Sequence, residues 1–392
     1  MRKISADFLY PVDAAPIPGG VVVAADDGTI LALGQQDHHD PASLEYYRGA
    51  IVPGFINTHC HLELSHMKGI APTGTGLLPF LKTVVHMRHF PEGEIQNAIR
   101  RADQDMYDAG IVAVGDISNK IDTAATKKAS KMRYYTFVEM FDFLQEGLAG
   151  KTFEEHLEIY SAQAGDAPHS KSMVPHAPYT VSRALFRKIR KFNRGGQTVS
   201  IHNQETEEEN ALFMSKNGAF RSFFQSFGHS IEAFLPSGKS SIHYALENLD
   251  PECRTLFVHN TMTTAEDIQA AHAWSAQVFW ATCPNANLYI ENRLPNYQIF
   301  LEAGARVTIG TDSLTSNWQL SVLEEMKTIA RFQSYVPWET VLQWATLHGA
   351  QALGYDTELG SISPGKRPGL NLLENLSPTG GLQSATRVRR LL

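Results

Sequence analysis

The sequence predicts an α/β protein, a (β/α)8 TIM barrel with a small β-sandwich built from both chain termini. Three observations carry this expectation. Between residues 51 and 310, eight short apolar runs alternate with amphipathic helical patterns. Residues 1–50 and the stretch after Tyr355 share a different texture, β-rich runs broken by turns. Histidine and aspartate fall repeatedly at the C-terminal ends of the apolar runs.

In chain order, Ile4–Tyr10, Gly20–Ala25 and Thr29–Leu33 are rich in β-formers, with Asp26-Asp27-Gly28 as a tight turn. From residue 51 the expected strands are Ile51–Thr58, Gly110–Ile117, Arg133–Phe141, Ser172–Ala177, Gln197–Asn203, Arg254–His259, Gln277–Thr282 and Arg306–Gly310. Helical patterns such as Glu94–Ala109, Ala184–Phe192, Thr264–Ala273 and Asn296–Ala303 separate them. Leu320–Phe332, Trp338–Ala345 and Ala350–Leu353 supply helices after the eighth strand. Nearly continuous apolar strands between helices mean a parallel sheet covered on both faces. Eight such units in about 300 residues fit a closed barrel. An open doubly wound sheet is the alternative, but no glycine-rich phosphate loop supports it.

Strand-and-turn texture returns in Leu359–Leu373, so the tail is expected to rejoin the N-terminal strands. The expected domains are therefore 1–50 plus 355–392 for the sandwich and 51–354 for the barrel. The longest insert, Thr206 to Asp250, holds Phe213, Phe220, Phe223, Phe224 and Phe227. It reads first as a packed helical excursion and second as a substrate lid.

Composition narrows the class. The chain is 43% hydrophobic and 19% charged, ordinary for a globular protein. A formal charge of −7 gives no basic face, so nucleic acid is not an expected partner. No run reaches the apolar length of a membrane span. Asp7 and the Pro-Val-Asp after Tyr10 break any signal-peptide pattern. Cys60, Cys253 and Cys283 are odd in number and far apart, which argues against a disulfide framework. Cys60 and Cys283 are expected to pack. The expectation is a cytoplasmic protein with a small-molecule substrate and no membrane, a homodimer being left open.

In such a barrel the C-terminal strand ends converge on one face. Strand one ends in His59 and His61, which project together because side chains on a strand alternate. Strand four ends in Pro-His176-Ala-Pro-Tyr179 and strand five in Ile-His202-Asn-Gln-Glu205. Strand six ends in Val-His259-Asn and strand eight in Gly-Thr-Asp312-Ser313. His59, His61, His202 and Asp312 supply three imidazoles and a carboxylate for one divalent metal ion. Zn2+ is the first expectation, and Fe2+ or Mn2+ suit the same donors. Water bound to such an ion has its pKa lowered from about 15.7 toward ~7, which yields a hydroxide nucleophile. Glu205, three residues past a ligand, suits general acid/base work. His259 could polarise the substrate or orient the water, and Asp312 could help deprotonate it. Taken singly, His176 and His259 read as hydrogen-bonded core histidines and Asp312 as a helix N-cap. The run from Glu205 to Glu209 reads as a solvated helix start. Their shared placement at strand ends reverses those readings in favour of a metal site.

The motifs PGFINTHCHLE (53–63), PHAPYTVS (175–182), IHNQE (201–205), VHN (258–260), CPNANLYIENRLP (283–295) and GTDSLTSN (310–317) resemble the amidohydrolase superfamily. Within it they resemble the branch of cytosine, guanine and adenosine-like deaminases and chlorohydrolases. GSISPGKRPGLNLL (360–373) resembles the return strands of that family's small β-sandwich. The resemblance implies a mononuclear site, with His59, His61, His202 and Asp312 on the metal, Glu205 as proton shuttle and His259 beside the hydrolytic water. Binuclear relatives carry a carbamylated lysine at the end of strand four, where this chain reads Met-Val-Pro-His-Ala-Pro.

The resemblance also implies that His176 faces the substrate. The implied reaction is attack of metal-bound hydroxide on an aminated aromatic carbon, with loss of ammonia. A chlorohydrolase or cyclic amidase would use the same site, and a non-catalytic scaffold would have lost ligands. His61-Leu-Glu63-Leu-Ser65 resembles the variant in aminodeoxyfutalosine deaminases, which act on an adenine ring. An adenine-containing nucleoside is thus the expected substrate and Glu63 a candidate contact. Many members of the branch have glycine where Ser313 stands. Glu139, ending strand three, is a candidate to hydrogen-bond base or sugar, with burial against a barrel arginine as the alternative. Arg221 is a candidate for a substrate carboxylate, and Asn287 and Asn317 are expected to brace loops.

Overall fold

Burying both faces of a parallel sheet requires helices on its outside and a closed ring inside, and the chain does both. The computed structural model describes residues 1–377 and 381–392. Residues 378–380, in the expected terminal layer, lie outside the described residues. Among the described residues, parallel strands run Phe55–Cys60, Ile111–Ser118, Arg133–Met140, Ser170–Pro175, Thr198–Asn203, Arg254–His259, Val278–Thr282 and Val307–Ile309. They pair as two consecutive sets of four.

Backbone hydrogen bonds stitch the two sets into a barrel. At one seam the His202 N–H donates to the His176 carbonyl at 2.9 Å. At the other, Thr311 and Asp312 N–H donate to the His59 carbonyl at 2.9 and 3.0 Å, and Cys60 bridges Asp312 in parallel. That second seam needs Gly310: a Cβ there would sit 2.7 Å from the His59 Cβ.

The outer helices follow from local sequence. Arg183–Phe192 buries Leu185, Phe186 and Ile189 on one face, and the Ser182 hydroxyl caps it by accepting the Leu185 N–H. Glu92–Asp108 buries Ile99, Ala102 and Met106, at helical spacing. Within the long insert, Glu207–Ser215, Phe220–Ser226 and Ser241–Asn248 form helices whose Phe213, Phe220 and Phe224 are fully buried. The insert is a packed excursion, as first expected. Among the described residues no helix is long and apolar enough to cross a membrane.

Strands from both ends of the chain share one sheet. Its order is Arg387–Arg390, Leu370–Glu374, Glu45–Pro53, Arg2–Leu9, Gly20–Ala24 and Ile30–Gln35, with Ile17–Pro18 paired to Arg2–Leu9. Ile4, Val22, Ile51 and Leu372 belong to its own apolar core.

The structure differs from expectation in two places that bear on the site, besides helices such as Ala149–Ala162 and Pro284–Glu291, which are not named individually among the expected elements. The run Ile51–Thr58 is not one strand: Ile51 pairs with Leu9 and Leu372 in the terminal sheet, and the barrel strand begins at Phe55. Gly54 makes the corner, because a Cβ there would meet Val112 at 2.3 Å and the Pro368 carbonyl at 2.7 Å. The second difference is a helix over Leu77–Met87, absent from the expected elements.

A buried ion pair supports the first barrel turn. Lys127 Nζ lies 2.5 Å from Asp116 Oδ2 and 2.8 Å from Ser118 Oγ. Asp116 Oδ1 accepts the Leu62 N–H at 2.8 Å, directly after His61. Burial pushes the Asp116 carboxyl above its usual range, against the pull of Lys127. Lys127→Met should strand that carboxylate and destabilise the fold by about 3–5 kcal/mol. Urea unfolding measures it, and Asp116→Asn/Lys127→Met should lose less than Lys127→Met alone. A loss below about 1 kcal/mol in the single variant would show the pair to be dispensable.

Candidate active site

Five strand ends deliver side chains to one point. His61 Nε2 lies 3.1 Å from His59 Nε2 and 3.3 Å from His202 Nε2. Asp312 Oδ1 sits 3.7 Å from His59 Nε2 and 3.5 Å from His61 Nε2. Burial first, then neighbouring imidazoles, push His59, His61 and His176 well below the usual histidine pKa. Burial likewise lowers His202. The His202 Nδ1–H donates to the His176 carbonyl at 2.8 Å, which leaves a lone pair on Nε2. A single N–H on His61 Nε2 would have to serve both neighbouring rings, whereas a cation would take a lone pair from each. Three imidazoles and a carboxylate are donors that suit a divalent cation, so the residues fit a metal.

Second partners hold these groups. Ser316 Oγ donates to Asp312 Oδ2 at 2.7 Å. Asn317 Nδ2 donates to the Thr311 carbonyl at 2.8 Å and to Glu325 Oε1 at 2.7 Å, which ties down the turn after strand eight. Gln204, His259, Asn260 and Asp312 all have positive φ, between 48° and 72°. Such backbone is strained for residues other than glycine, and here it gathers at the strand ends around the site.

Glu205 and His259 form a pair beside the cluster, with His259 Nε2 2.8 Å from Glu205 Oε1. His259 Nδ1 lies 2.9 Å from Asn287 Oδ1. Burial lowers the His259 imidazole, but Glu205 and Asp312 outweigh it and hold its pKa up to about 9. Burial likewise works against Glu205, yet His259 and His202 bring its carboxyl below the usual range. The run from Glu205 to Glu209 is therefore not a solvated helix start throughout: Glu205 and Glu209 are buried.

Above the cluster lies a cavity with a polar base and an apolar wall. His61, Glu63, Glu139, His176, His202, Glu205, His259 and Asp312 line the base. Leu77, Phe80, Leu81, Val84 and Val85 of the unexpected helix line its apolar part together with Phe141, Phe143, Phe223 and Ile290. Glu139 meets Asn119 and His202 rather than a barrel arginine. Its Oε2 accepts Asn119 Nδ2 at 3.1 Å, and Oε1 is 3.4 Å from His202 Nδ1. Burial pushes its carboxyl up to about 8. Glu63 Oε2 accepts the N–H groups of Asn119 and Lys120 at 2.9 and 3.2 Å, while Oε1 meets Arg88 Nη2 at 3.3 Å. His176 Nδ1 bonds Thr180 Oγ1 at 2.8 Å.

Arg221 lies away from the cavity, half-exposed and 3.3 Å from Glu232. Sequence reasoning missed Arg88, Asn119 and Ser316. Ser316 was legible in principle, four residues after Asp312 in the GTDSLTSN motif. Arg88 and Asn119 carry no motif that distinguishes them from surface residues.

Residues 50–388 match the model of the amidohydrolase family. The chain belongs to the amidohydrolase family. It is 27% identical over 331 residues to an adenosine deaminase of Helicobacter pylori, spanning 83% of this chain and 79% of that protein. In structure it resembles the Helicobacter pylori aminofutalosine deaminase in complex with methylthio-coformycin, with a TM-score of 0.81 at 23% identity over 100% of both chains. It also resembles an adenosine deaminase from Xanthomonas campestris with bound zinc, with a TM-score of 0.74 at 23% identity over 95% of this chain and 84% of that one. These likenesses support the amidohydrolase barrel as the fold.

If the cluster is the amidohydrolase metal centre, His61→Ala should lose bound divalent metal altogether. Ser316→Ala, which removes only the hydroxyl supporting Asp312, should weaken metal affinity about 10- to 100-fold. Elemental analysis and chelator competition measure both. Full metal content in His61→Ala would remove that histidine from the ligand set.

Proposed function

We propose that this protein is a metal-dependent aminohydrolase that deaminates an adenine nucleoside. The observation that carries the reading is the Glu205–His259 pair set against the His59–His61–His202–Asp312 cluster at the base of an apolar cavity. Relatives named as adenosine and aminofutalosine deaminases support the adenine ring as the reacting group. An aminodeoxyfutalosine-like nucleoside is the finer substrate assignment. In this reading the barrel, whose first strand begins at Phe55, carries the chemistry, and the terminal sheet, which also takes in residues 51–53 of the expected 51–354 unit, supports it.

His59, His61, His202 and Asp312 would hold the metal, with zinc favoured by its presence in a structural relative. When bound, the ion supplies Lewis acidity that makes water a competent nucleophile near neutral pH. Glu205 takes one proton from the attacking water and gives it to the ring nitrogen beside the reacting carbon, then takes the second from the added hydroxyl and gives it to the departing amine. His259 keeps the Glu205 carboxylate in place at 2.8 Å and stabilises charge that builds on the oxygen at the tetrahedral carbon. His176, Glu139 and Glu63 line the same cavity and orient the nucleoside. Water adds its oxygen to the ring carbon, ammonia leaves, and the amino group is replaced by a carbonyl.

The test is ammonia release across adenosine, its 5′-substituted analogues, aminopurines and chlorinated triazines. Ammonia and a hypoxanthine nucleoside should form in equal amounts. Chloride or a ring-opened product without ammonia would overturn the deaminase reading in favour of a chlorohydrolase or cyclic amidase. Glu205→Gln should cut kcat by about 10²- to 10⁴-fold with metal content unchanged. Loss of metal in that variant would instead place Glu205 among the ligands.

A further inference from the structure

Glu205 leaves the fifth barrel strand through Gln204, whose φ of 48° is left-handed. A free loop would not keep that conformation on a residue with a side chain. Two sets of contacts hold it. The Gln204 side chain bonds Asp267 Oδ2 at 2.9 Å and Thr263 Oγ1 at 2.7 Å, and its carbonyl accepts the Met262 N–H at 2.8 Å. From the opposite side comes Glu209, in the first turn of the helix Glu207–Ser215 and fully buried. Its Oε1 accepts the Gln204 N–H and its Oε2 accepts the Glu205 N–H, both at 3.1 Å.

Its neighbours in the acidic run behave differently. Glu207 is exposed and pairs with Arg293 at 3.1 Å, and Glu208 bonds the Ala219 N–H near the surface. Burying a carboxylate is costly, and packing alone would be served better by leucine or methionine. What the carboxylate supplies, and an apolar side chain could not, is two acceptors for two consecutive N–H groups. The second of those belongs to the residue assigned the proton transfer.

We infer that Glu209 is a positioning residue for proton transfer, its carboxylate clamping the Gln204–Glu205 backbone so that the Glu205 side chain stays against His259. This rests on the shuttle role proposed for Glu205. Glutamine at 209 keeps one acceptor but turns an amide donor toward the second N–H. Aspartate keeps the charge but is one methylene too short to reach both.

The experiment compares the wild-type holoenzyme with Glu209→Gln and Glu209→Asp on adenosine. Misplacement of the shuttle should lower kcat on the order of 10- to 100-fold, with KM within about twofold and metal content unchanged. The solvent deuterium isotope effect on kcat should rise as proton transfer becomes limiting. In a Glu205→Asp background, Glu209→Gln should cost little more, because both changes act on one step. An unchanged kcat in both Glu209 variants overturns the clamp, as does a loss explained by missing metal or a raised KM. If Glu209→Gln does not fold, Glu209→Asp decides by the same readouts. Wild-type turnover in Glu205→Gln would mean that the shuttle reading failed. Inactive Glu205→Gln beside fully active Glu209 variants would mean that the clamp alone failed.

Discussion

The two seams that close the barrel are made by the backbones of residues that build the site. The His59 carbonyl accepts from Asp312, and the His176 carbonyl accepts from His202. The spacing of the clustered side chains and barrel closure are therefore one constraint. Holding His59 against Asp312 across the first and eighth strands requires that those strands pair, and Gly310 removes the Cβ that would keep them apart. A site built across seams is only as exact as the ring that closes them. This is why the apolar residues of the strands, which do not line the cavity, still fix the positions of the side chains that do.

Crowding imidazole nitrogens to 3.1 and 3.3 Å in a buried place is unfavourable unless something draws them together. His59 Nδ1 adds to the cost, being buried without a hydrogen-bond partner among the described residues. Left-handed backbone at Gln204, His259, Asn260 and Asp312 adds a further local cost. The outer fold offsets these terms through continuous apolar strands, the Lys127–Asp116 pair and the terminal sheet.

The barrel could be read from sequence because period and residue type agreed: apolar runs, helical spacing between them, histidine or aspartate at the ends. The cluster of His59, His61, His202 and Asp312 follows from that pattern alone, because strand ends converge wherever a barrel closes. Other features could not be read, the helix Leu77–Met87 and the roles of Arg88 and Asn119 among them. Ile51 to Ile56 reads as one apolar run within a single expected strand, whereas the chain turns from one sheet into another at Gly54, where Val112 and the Pro368 carbonyl approach closely. The burial of Glu209 was also hidden. Three neighbouring glutamates look alike in sequence, and which of them turns inward depends on the left-handed turn at Gln204.

The cavity wall shows why chemistry was easier to infer than substrate. Leu77–Met87 and Phe220–Ser226 bring Phe80, Val84, Val85 and Phe223 to it, all apolar groups with no hydrogen-bonding pattern to read. An apolar wall discriminates by size and shape, and a methylene there is worth only about 1–3 kcal/mol. The polar base is stricter, because a buried carboxylate or imidazole left without its partner costs more than a poorly filled hydrophobic corner. Under the proposed function, the strand ends would select the ring, and the helices Leu77–Met87 and Phe220–Ser226 what hangs from it.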